Sequence, residues 1–503
     1  MLPPVAASEE VRGTELLAAD HPSWRDLLDL WNRGGLTDLA VFTRPLPRVE
    51  IARHLASIED DAPELTALPA VHRLRREFAR ELAWLDASTE ARETPPLFES
   101  NDGSTTIRAQ AIGKLLGTVT DERGDVLPEA NAGFALKAYM PGGAFALVEG
   151  VIENIEDEGP LGDAVAKGSD WFYSVPTAYV AIPTGFADVY GGLFEQRWGP
   201  GTAGTLLLSD AAISYPGLFF AKNFGTRARF TSVTGALLIS QRRWFSAHRL
   251  DLRVTDRLHV ALHEAAAYRS SGFDPLYTIG LVPYSLVQRY LDRATVPPET
   301  LADHRNNVLA GVDFVWRFAR GWRLDGEFLV DDLATEAATM PNRLAYEAGV
   351  SWSGEVAGGA TDARLEFVKV YRYTYAVFYG ANFIHKGVPL GFGAGPDVER
   401  TTAYLERDFG RSLRLGAGCD VLRSGEGFTG EFWDRDPQSP SSSAHLSGTV
   451  ETAVFPHARV RAFWRDVLWV SAQLGVERTK NVGHVSGAEE TMPRAELDVR
   501  WEW

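Results

Sequence analysis

The 503-residue chain has one cysteine, four methionines and a deficit of positive charge. The single Cys419 excludes an intramolecular disulfide, and it alternates in phase with apolar neighbours as a small hydrophobe. Fifty Lys and Arg stand against 67 Asp and Glu, a formal charge of -17. The pI is about 5.2. Nucleic-acid binding is excluded as a main function, because neutralising phosphates takes clustered basic residues. No apolar run reaches the roughly 18–20 residues of a spanning helix. That excludes helical membrane insertion but not a β-barrel, whose alternating strands leave hydropathy low. Mean hydropathy is indeed slightly negative, at -0.14.

Enzyme signatures are sparse. His263-Glu264 lacks the second histidine of a zinc-protease motif, since position 267 is Ala. No Gly-x-Ser-x-Gly elbow occurs. A Ser-His hydrolase whose residues meet only in space stays open, as does a cation site at Asp331-Asp332 beside the plainer reading of a solvated loop start. No cofactor and no metal are expected.

The N-terminus, Met1 to Ser8, has neither a basic nor an apolar signal region, although Val5-Ala6-Ala7 resembles the tail of one. Residues 1–20 are therefore read as a signal remnant or disordered, with the true start upstream or removed. Residues 21–103 read as a helical segment and linker. Trp24 to Trp31 is amphipathic and ends at Gly34-Gly35, and Pro47 fits the first turn of a helix over Arg48 to Ser57. Val71, Leu74, Phe78, Leu82 and Leu85 make one apolar stripe of a third helix. Pro95-Pro96 and Asn101-Asp102-Gly103 mark the linker.

From residue 104 a period of two takes over. Val312, Phe314, Trp316 and Phe318 alternate with Asp313, Val315 and Arg317; Trp322, Leu324 and Phe328 alternate with Arg323, Asp325 and Glu327. The last nine residues place Ala495, Leu497, Val499, Trp501 and Trp503 on one face and Glu496, Asp498, Arg500 and Glu502 on the other. One greasy and one wet face per strand suits a membrane barrel. His259 and His263 share a wet face and should both point into the lumen. Eighteen candidate strands fit between 104 and 503, the last five at 401–408, 412–422, 444–455, 458–476 and 494–503. The run 458–476 is taken as one strand through Arg465-Asp466, with Pro456-His457 as a turn before it. Sending the last strand into the periplasm makes periplasmic turns short, as at Pro141-Gly142-Gly143 and Arg320-Gly321. The outer connections 269–307, 377–400 and 423–443 then come out long. That asymmetry is the outer-membrane pattern. The fold class is an all-β transmembrane barrel of about 18 antiparallel strands with a small N-terminal α-helical segment.

Four stretches carry a resemblance. They are Gly192 to Gly201 with Leu206 to Ala212, Thr43 to Ala52, Phe273 to Tyr277 running on to Asn306 to Leu309, and Arg364 to Phe367 through Tyr373-Thr374-Tyr375 to Pro389-Leu390-Gly391. In this order they resemble the Wzi family of outer-membrane capsule-assembly lectins, from about residue 43 to the end. The resemblance implies an eighteen-stranded barrel with a periplasmic helical bundle and loops closing the outer mouth. It also implies non-catalytic binding of capsular or exopolysaccharide in a Gram-negative cell envelope. A saccharide export or uptake channel, or a barrel enzyme such as a lipase, are the alternatives.

Sugar recognition needs aromatic faces and planar hydrogen-bonding groups. The candidates are Arg197 and Trp198 beside the Gly199-Pro200-Gly201 turn, Tyr277, Tyr284, Arg289 and Tyr290 in the longest outer loop, and Trp433 and Arg435 in another. The plainer reading makes the first pair part of a structural outer turn and the loop aromatics a plug. Expected partners are the polysaccharide, outer-membrane lipid, and the barrel-assembly machinery through the C-terminal Trp503, with the protein a monomer.

Overall fold

The computed structural model describes residues 14–86, 95–119, 126–154, 163–164, 171–294, 306–333, 341–377, 381–431, 444–464 and 467–503. Eighteen antiparallel strands close into a barrel. The first nine are β1 Thr106–Val119, β2 Val126–Tyr139, β3 Phe145–Glu153, β4 Ala178–Pro183, β5 Asp188–Phe194, β6 Tyr215–Phe224, β7 Ala228–Leu238, β8 Arg243–Thr255 and β9 Leu258–Arg269. The rest are β10 Asn307–Ala319, β11 Trp322–Asp332, β12 Arg343–Val356, β13 Gly359–Val370, β14 Val398–Phe409, β15 Leu413–Ser424, β16 Glu451–Trp464, β17 Leu468–Lys480 and β18 Glu489–Glu502. Strand β18 pairs with β1 from Ala495↔Val119 to Glu502↔Ile112. Trp503 and Ala111 then exchange two 2.7 Å backbone hydrogen bonds. Closure leaves no sheet edge, which is what lets strands cross hydrocarbon. On the outward face Trp501 lies flat over Gly113, where a Cβ would stand 1.8 Å from the indole.

The alternation read from sequence holds in three dimensions. Val312, Phe314, Trp316 and Phe318 of β10 are exposed on the outer surface, while Asp313, Val315 and Arg317 are buried inside. The lumen is lined by charge in pairs, because a buried ion must be paired to be tolerated. Arg364 holds Asp325 at 2.8 and 2.9 Å and Glu366 at 2.6 Å. Arg249 reaches Asp251 at 2.9 Å and Asp313 at 3.1 Å.

Near residue 460 the strand boundaries differ from the sequence reading. Residues 458–476 are not one strand: β16 and β17 form a hairpin, paired from Thr452↔Lys480 to Trp464↔Leu468. Pro456 and His457 lie inside β16, not in a turn. An even spacing across the hairpin kept the apolar phase unbroken, so phase alone could not reveal the reversal. The expected strand 444–455 and this long strand together stand where β16 and β17 are, and the total stayed at eighteen.

Short connections, such as Thr184 to Ala187 and Arg320-Gly321, lie at the end of the barrel that bears the C-terminus, called proximal here. The long ones lie at the distal end. Three further short strands extend the sheet: Phe98–Asn101 alongside β1, and Phe172–Ser174 with Asp163–Ala164 beyond β3.

The N-terminal helices fill the proximal mouth. They are α1 Trp24–Arg33, α2 Arg48–Ala56, α3 Ile58–Asp61, α4 Pro69–Glu77 and α5 Ala79–Leu85. Helix α1 ends on Gly34 at φ 105°. The single stripe from Val71 to Leu85 is broken into α4 and α5 at Phe78, whose φ of -102° leaves the helical region while its ring stays fully buried. Leu27, Leu30, Trp31, Ile51, Leu55 and Leu74 make the bundle core, and Val315 and Ala360 of the wall join it. Ion pairs lock it in place: Arg25 to Glu406 at 2.9 Å and Arg229 to Glu50 at 2.9 Å. Residues Leu16–Leu17, grouped with the N-terminal tail on sequence grounds, pair with Leu46–Pro47.

Candidate functional site

The distal connection 195–214, between β5 and β6, turns inward instead of rising over the mouth. Arg197 and Trp198 pair with Arg44 and Thr43, so a loop from the distal side meets the helical segment from the proximal side within the lumen. Trp198 is fully buried; its Nε1 donates to Gln196 Oε1 at 2.9 Å. Arg197 binds Asp210 and the Gly201 carbonyl. These two residues, expected on an outer turn, are internal struts. The glycines of Gly199-Pro200-Gly201 have a steric reason. A Cβ on Gly199 (φ 134°) would stand 2.6 Å from Glu327 Oε2, and one on Gly201 would stand 2.0 Å from the Gly204 carbonyl.

Wall carboxylates hold this loop. Glu366 accepts from Thr202 N at 2.9 Å, Thr202 Oγ1 at 2.7 Å and Ala203 N at 2.9 Å, and Glu327 accepts from Leu206 N at 3.1 Å. A second distal connection, between β13 and β14, also dips inward. Its Tyr375 hydroxyl donates to Leu206 O at 2.7 Å, and Leu390 O accepts from Ser209 N at 2.8 Å. Leu206, Leu207, Leu208, Tyr375, Phe383, Leu390 and Phe392 pack with the wall into one apolar cluster. The bore is filled from both ends.

The longest distal connection goes the other way. Helices α6 Pro275–Ile279 and α7 Tyr284–Ala294 fold back over the outside of the wall. They cover outward-facing residues of β7, β8 and β9 that are unusually polar: Ser232, Thr234, Ser246 and Tyr268 are all buried. Ser232 Oγ donates to Thr278 O at 2.9 Å, and Tyr284 N donates to Glu264 at 2.7 Å. Tyr277 stacks on Tyr268 at 4.5 Å, and the Tyr284 hydroxyl donates to Tyr277 O at 2.7 Å. Tyr277 and Tyr284 are thus packing residues rather than open sugar platforms; Arg289 and Tyr290 are exposed. The loop aromatics do pack, but against the outer wall and not as a plug. The pair Trp433 and Arg435 lies outside the described residues.

At the distal rim the structure brings together groups that the sequence did not single out for a role. Arg372 donates to Glu431 at 2.9 Å and lies 4.9 Å over the Tyr373 ring. Burial works against the Arg372 charge, and the Glu431 hydrogen bond, the larger influence, holds its pKa above the ordinary value. Phe428 is 65% exposed close by in sequence. Asp397 is buried and accepts from Gly427 N at 2.9 Å and Ser447 N at 3.2 Å, fixing the loop that carries Phe428 and Glu431. A planar cation, a carboxylate and an aromatic face on a braced loop can hold sugar hydroxyls and C–H surfaces. The signal available in sequence was Arg372-Tyr373 directly after a strand, inside one of the four family-like stretches.

At the proximal end, a cavity of about 550 Å³ lies between the helices and the β14–β15 turn, lined by His72, Arg73, Arg75, Arg76 and Arg411 among others. A second, of about 290 Å³, lies between α1, the inward loop and β16–β18. His259 and His263 point inward as expected. His263 lies 3.3 Å from Asp313, and His259 packs edge-on against Trp31 of the bundle. Asp331 accepts from Tyr375 N at 2.7 Å and so acts as a loop anchor. No group of three or more metal-ligating side chains occurs among the described residues.

The model of the capsule assembly protein Wzi family matches residues 128–492. The chain belongs to the Wzi family. Its fold is also that of a solved member, the Escherichia coli Wzi described as an outer-membrane, carbohydrate-binding β-barrel involved in group 1 capsule assembly. Identity is 15%, the TM-score is 0.64, and the match covers 97% of this chain and 99% of that one. The Pseudomonas aeruginosa barrel OccK5 (OpdH) is more distant, at 10% identity and a TM-score of 0.43 over 79% of this chain and 98% of that one. No curated protein matches at a significant level. Within the Wzi family fold, the inward loop and the helices account for two of the four stretches that first suggested kinship.

Proposed function

We propose that this Wzi-family barrel sits in the outer membrane with its helices in the periplasmic mouth and binds capsular or exopolysaccharide at the distal, extracellular surface without catalysis. The observation that carries this is the filled bore. With Glu366 and Glu327 holding the inward loop, and Tyr375 and Leu390 packed on it, the accessible working surface is the distal rim rather than a pore. The rim residues Arg372, Glu431 and Phe428 are the first candidates for sugar contact, with exposed Tyr290 at the side. In this reading Trp503 is the terminal signal for barrel assembly, and its backbone pairing to Ala111 at the closing seam supports it.

The test is a deletion strain complemented with wild type or with Arg372→Ala/Phe428→Ala. Surface-attached polysaccharide should fall and shed polymer should rise on deletion, with partial recovery by the double variant. The purified protein should bind the strain's own polymer. Unchanged attachment together with no binding refutes the proposal, and single-channel conductance from wild-type protein in planar bilayers would favour the export-channel alternative.

A further inference from the structure

Arg44 is a buried guanidinium without a carboxylate. Its side chain is 9% exposed, its one hydrogen bond is from Nε to Val41 O at 3.4 Å, and no carboxylate lies within 4 Å among the described residues. Directly opposite it, across the short Thr43–Arg44/Arg197–Trp198 ladder, stands a second arginine, Arg197, whose carboxylate partner is Asp210. Both line the 290 Å³ cavity. Arg461 of β16 lines it as well, and must share Glu406 with Arg25 and Arg459: the three reach that one carboxylate at 3.4, 2.9 and 3.0 Å. Arg25 and Arg500 line it too, the latter balanced by Asp20 at 2.7 Å and Asp498 at 3.2 Å. One side of the cavity is apolar, formed by Trp469 with His21 edge-on at 5.4 Å and by Phe463.

Among the groups named around this cavity, six arginines stand against four carboxylates, so positive charge is in excess. A buried guanidinium facing another without its own counter-ion is costly unless an anion completes it. The Trp24 ring, 4.7 Å beneath the Arg44 guanidinium, supports the cation but accepts no hydrogen bond from it in the way an oxyanion would. Burial, and then the neighbouring Arg197, push the Arg44 pKa down to about 9, more than the Asp210 carboxylate, shared with Arg197, offsets. A volume of 290 Å³ is at the small end of ligand pockets, roughly 300–1,000 Å³, and suits one monosaccharide-sized group rather than a chain.

We propose that this cavity is a binding site for a small oxyanion-bearing ligand, a carboxylate or phosphate carried on a group no larger than one sugar, with Arg44 and Arg461 as its charge partners and Trp469 as its apolar flank. The site is separate from the distal rim, so it stands whether or not polysaccharide binds there. It opens near the proximal mouth, where Asp20 and Arg500 form its edge.

The experiment is calorimetric titration of the full-length protein in detergent with glucuronate, inorganic phosphate and, as the neutral control, glucose. Binding of glucuronate alone assigns a sugar acid, and binding of phosphate alone or of both assigns a phosphate or general oxyanion site; each supports the proposal provided glucose does not bind. R44Q and R461Q should each weaken the anion roughly 10- to 100-fold, the loss expected for a charge-assisted contact. R44K, which keeps the charge but not the planar fork, should fall between. Heat-modifiable migration on gels confirms that each variant remains a folded barrel, and R461Q carries the test if R44Q does not fold. No binding of either anion up to about 10 mM, binding equal to that of glucose, or undiminished binding in a folded R44Q or R461Q overturns the proposal.

Discussion

Replacing Glu366 with alanine should loosen the inward loop and leave the barrel standing. Glu366 is buried on the lumenal face of β13 and accepts three hydrogen bonds from the loop at 2.7–2.9 Å, besides its 2.6 Å contact with Arg364. Hydrogen bonds to an ionised acceptor contribute about 1.5–3 kcal/mol each, but they are not additive. Arg364 keeps Asp325 through two bonds, so it is not left as an uncompensated buried charge, the case that makes broken pairs most costly. The loss should therefore be about 3–5 kcal/mol, borne by loop docking and not by the wall. Leu206 remains tied to Glu327 and Tyr375, which limits opening to the Gly201–Gly204 arc. Three readouts follow: a lower midpoint in urea, new protease cleavage within 195–214, and conductance in planar bilayers where wild type is silent. Glu366→Gln keeps one acceptor oxygen and should lose about half as much. A Glu366→Ala protein within about 1 kcal/mol of wild type, uncleaved and silent, would refute the claim that these bonds close the bore.

Asp29 gives a pH prediction. Its carboxyl is buried in α1, with Oδ1 on Arg33 at 2.7 Å and Oδ2 lacking a partner among the described residues. Burial first, and then the facing Asp362 carboxylate, raise its pKa to about 7. A raised acid contributes stability that is full below the ordinary carboxyl value of about 3.9 and is lost as pH rises through about 7. Wild type should therefore lose about 1.4 kcal/mol between pH 6 and pH 8.5, and Asp29→Asn, which keeps both hydrogen-bonding edges, should lose much less; parallel urea midpoints would refute it. The α6–α7 hairpin makes a second prediction. It turns Leu281 (77% exposed), Leu286 and Ile279 outward over the outer face of the wall. Nitroxides at Leu281→Cys or Leu286→Cys, in a Cys419→Ser background in liposomes, should be several-fold more accessible to oxygen than to a water-soluble nickel chelate, whereas a label at Gly487→Cys should show the reverse. Equal nickel accessibility at all three sites would place the hairpin in water.

Much of the wall was legible because a period of two is a local property. The alternation of Phe314 and Trp316 with Asp313 and Arg317 needs no knowledge of neighbours. Boundaries failed where phase carried no information, as between β16 and β17, and where a tertiary contact broke a regular stripe, as at Phe78. The candidate sugar residues fared differently because loop direction is not a local property. Arg197-Trp198 and Tyr277-Tyr284 looked alike in sequence, aromatic and polar beside turns. One pair ended inside the barrel and the other outside it.

The sequence by itself determined a closed barrel of eighteen strands with a helical N-terminal segment, and enough local motif to suggest its family. It did so because each strand must satisfy lipid on one side and polar matter on the other, a demand written residue by residue. Only the tertiary structure decided what fills the lumen and what is left unpaired in it. Glu366 is an anchor only because Thr202 and Ala203 arrive from more than 160 residues away. Arg44 is an unanswered charge only because the loop facing it brings another arginine. Such matches and mismatches arise where distant segments converge in low-dielectric surroundings, and spacing along the chain carries no record of them.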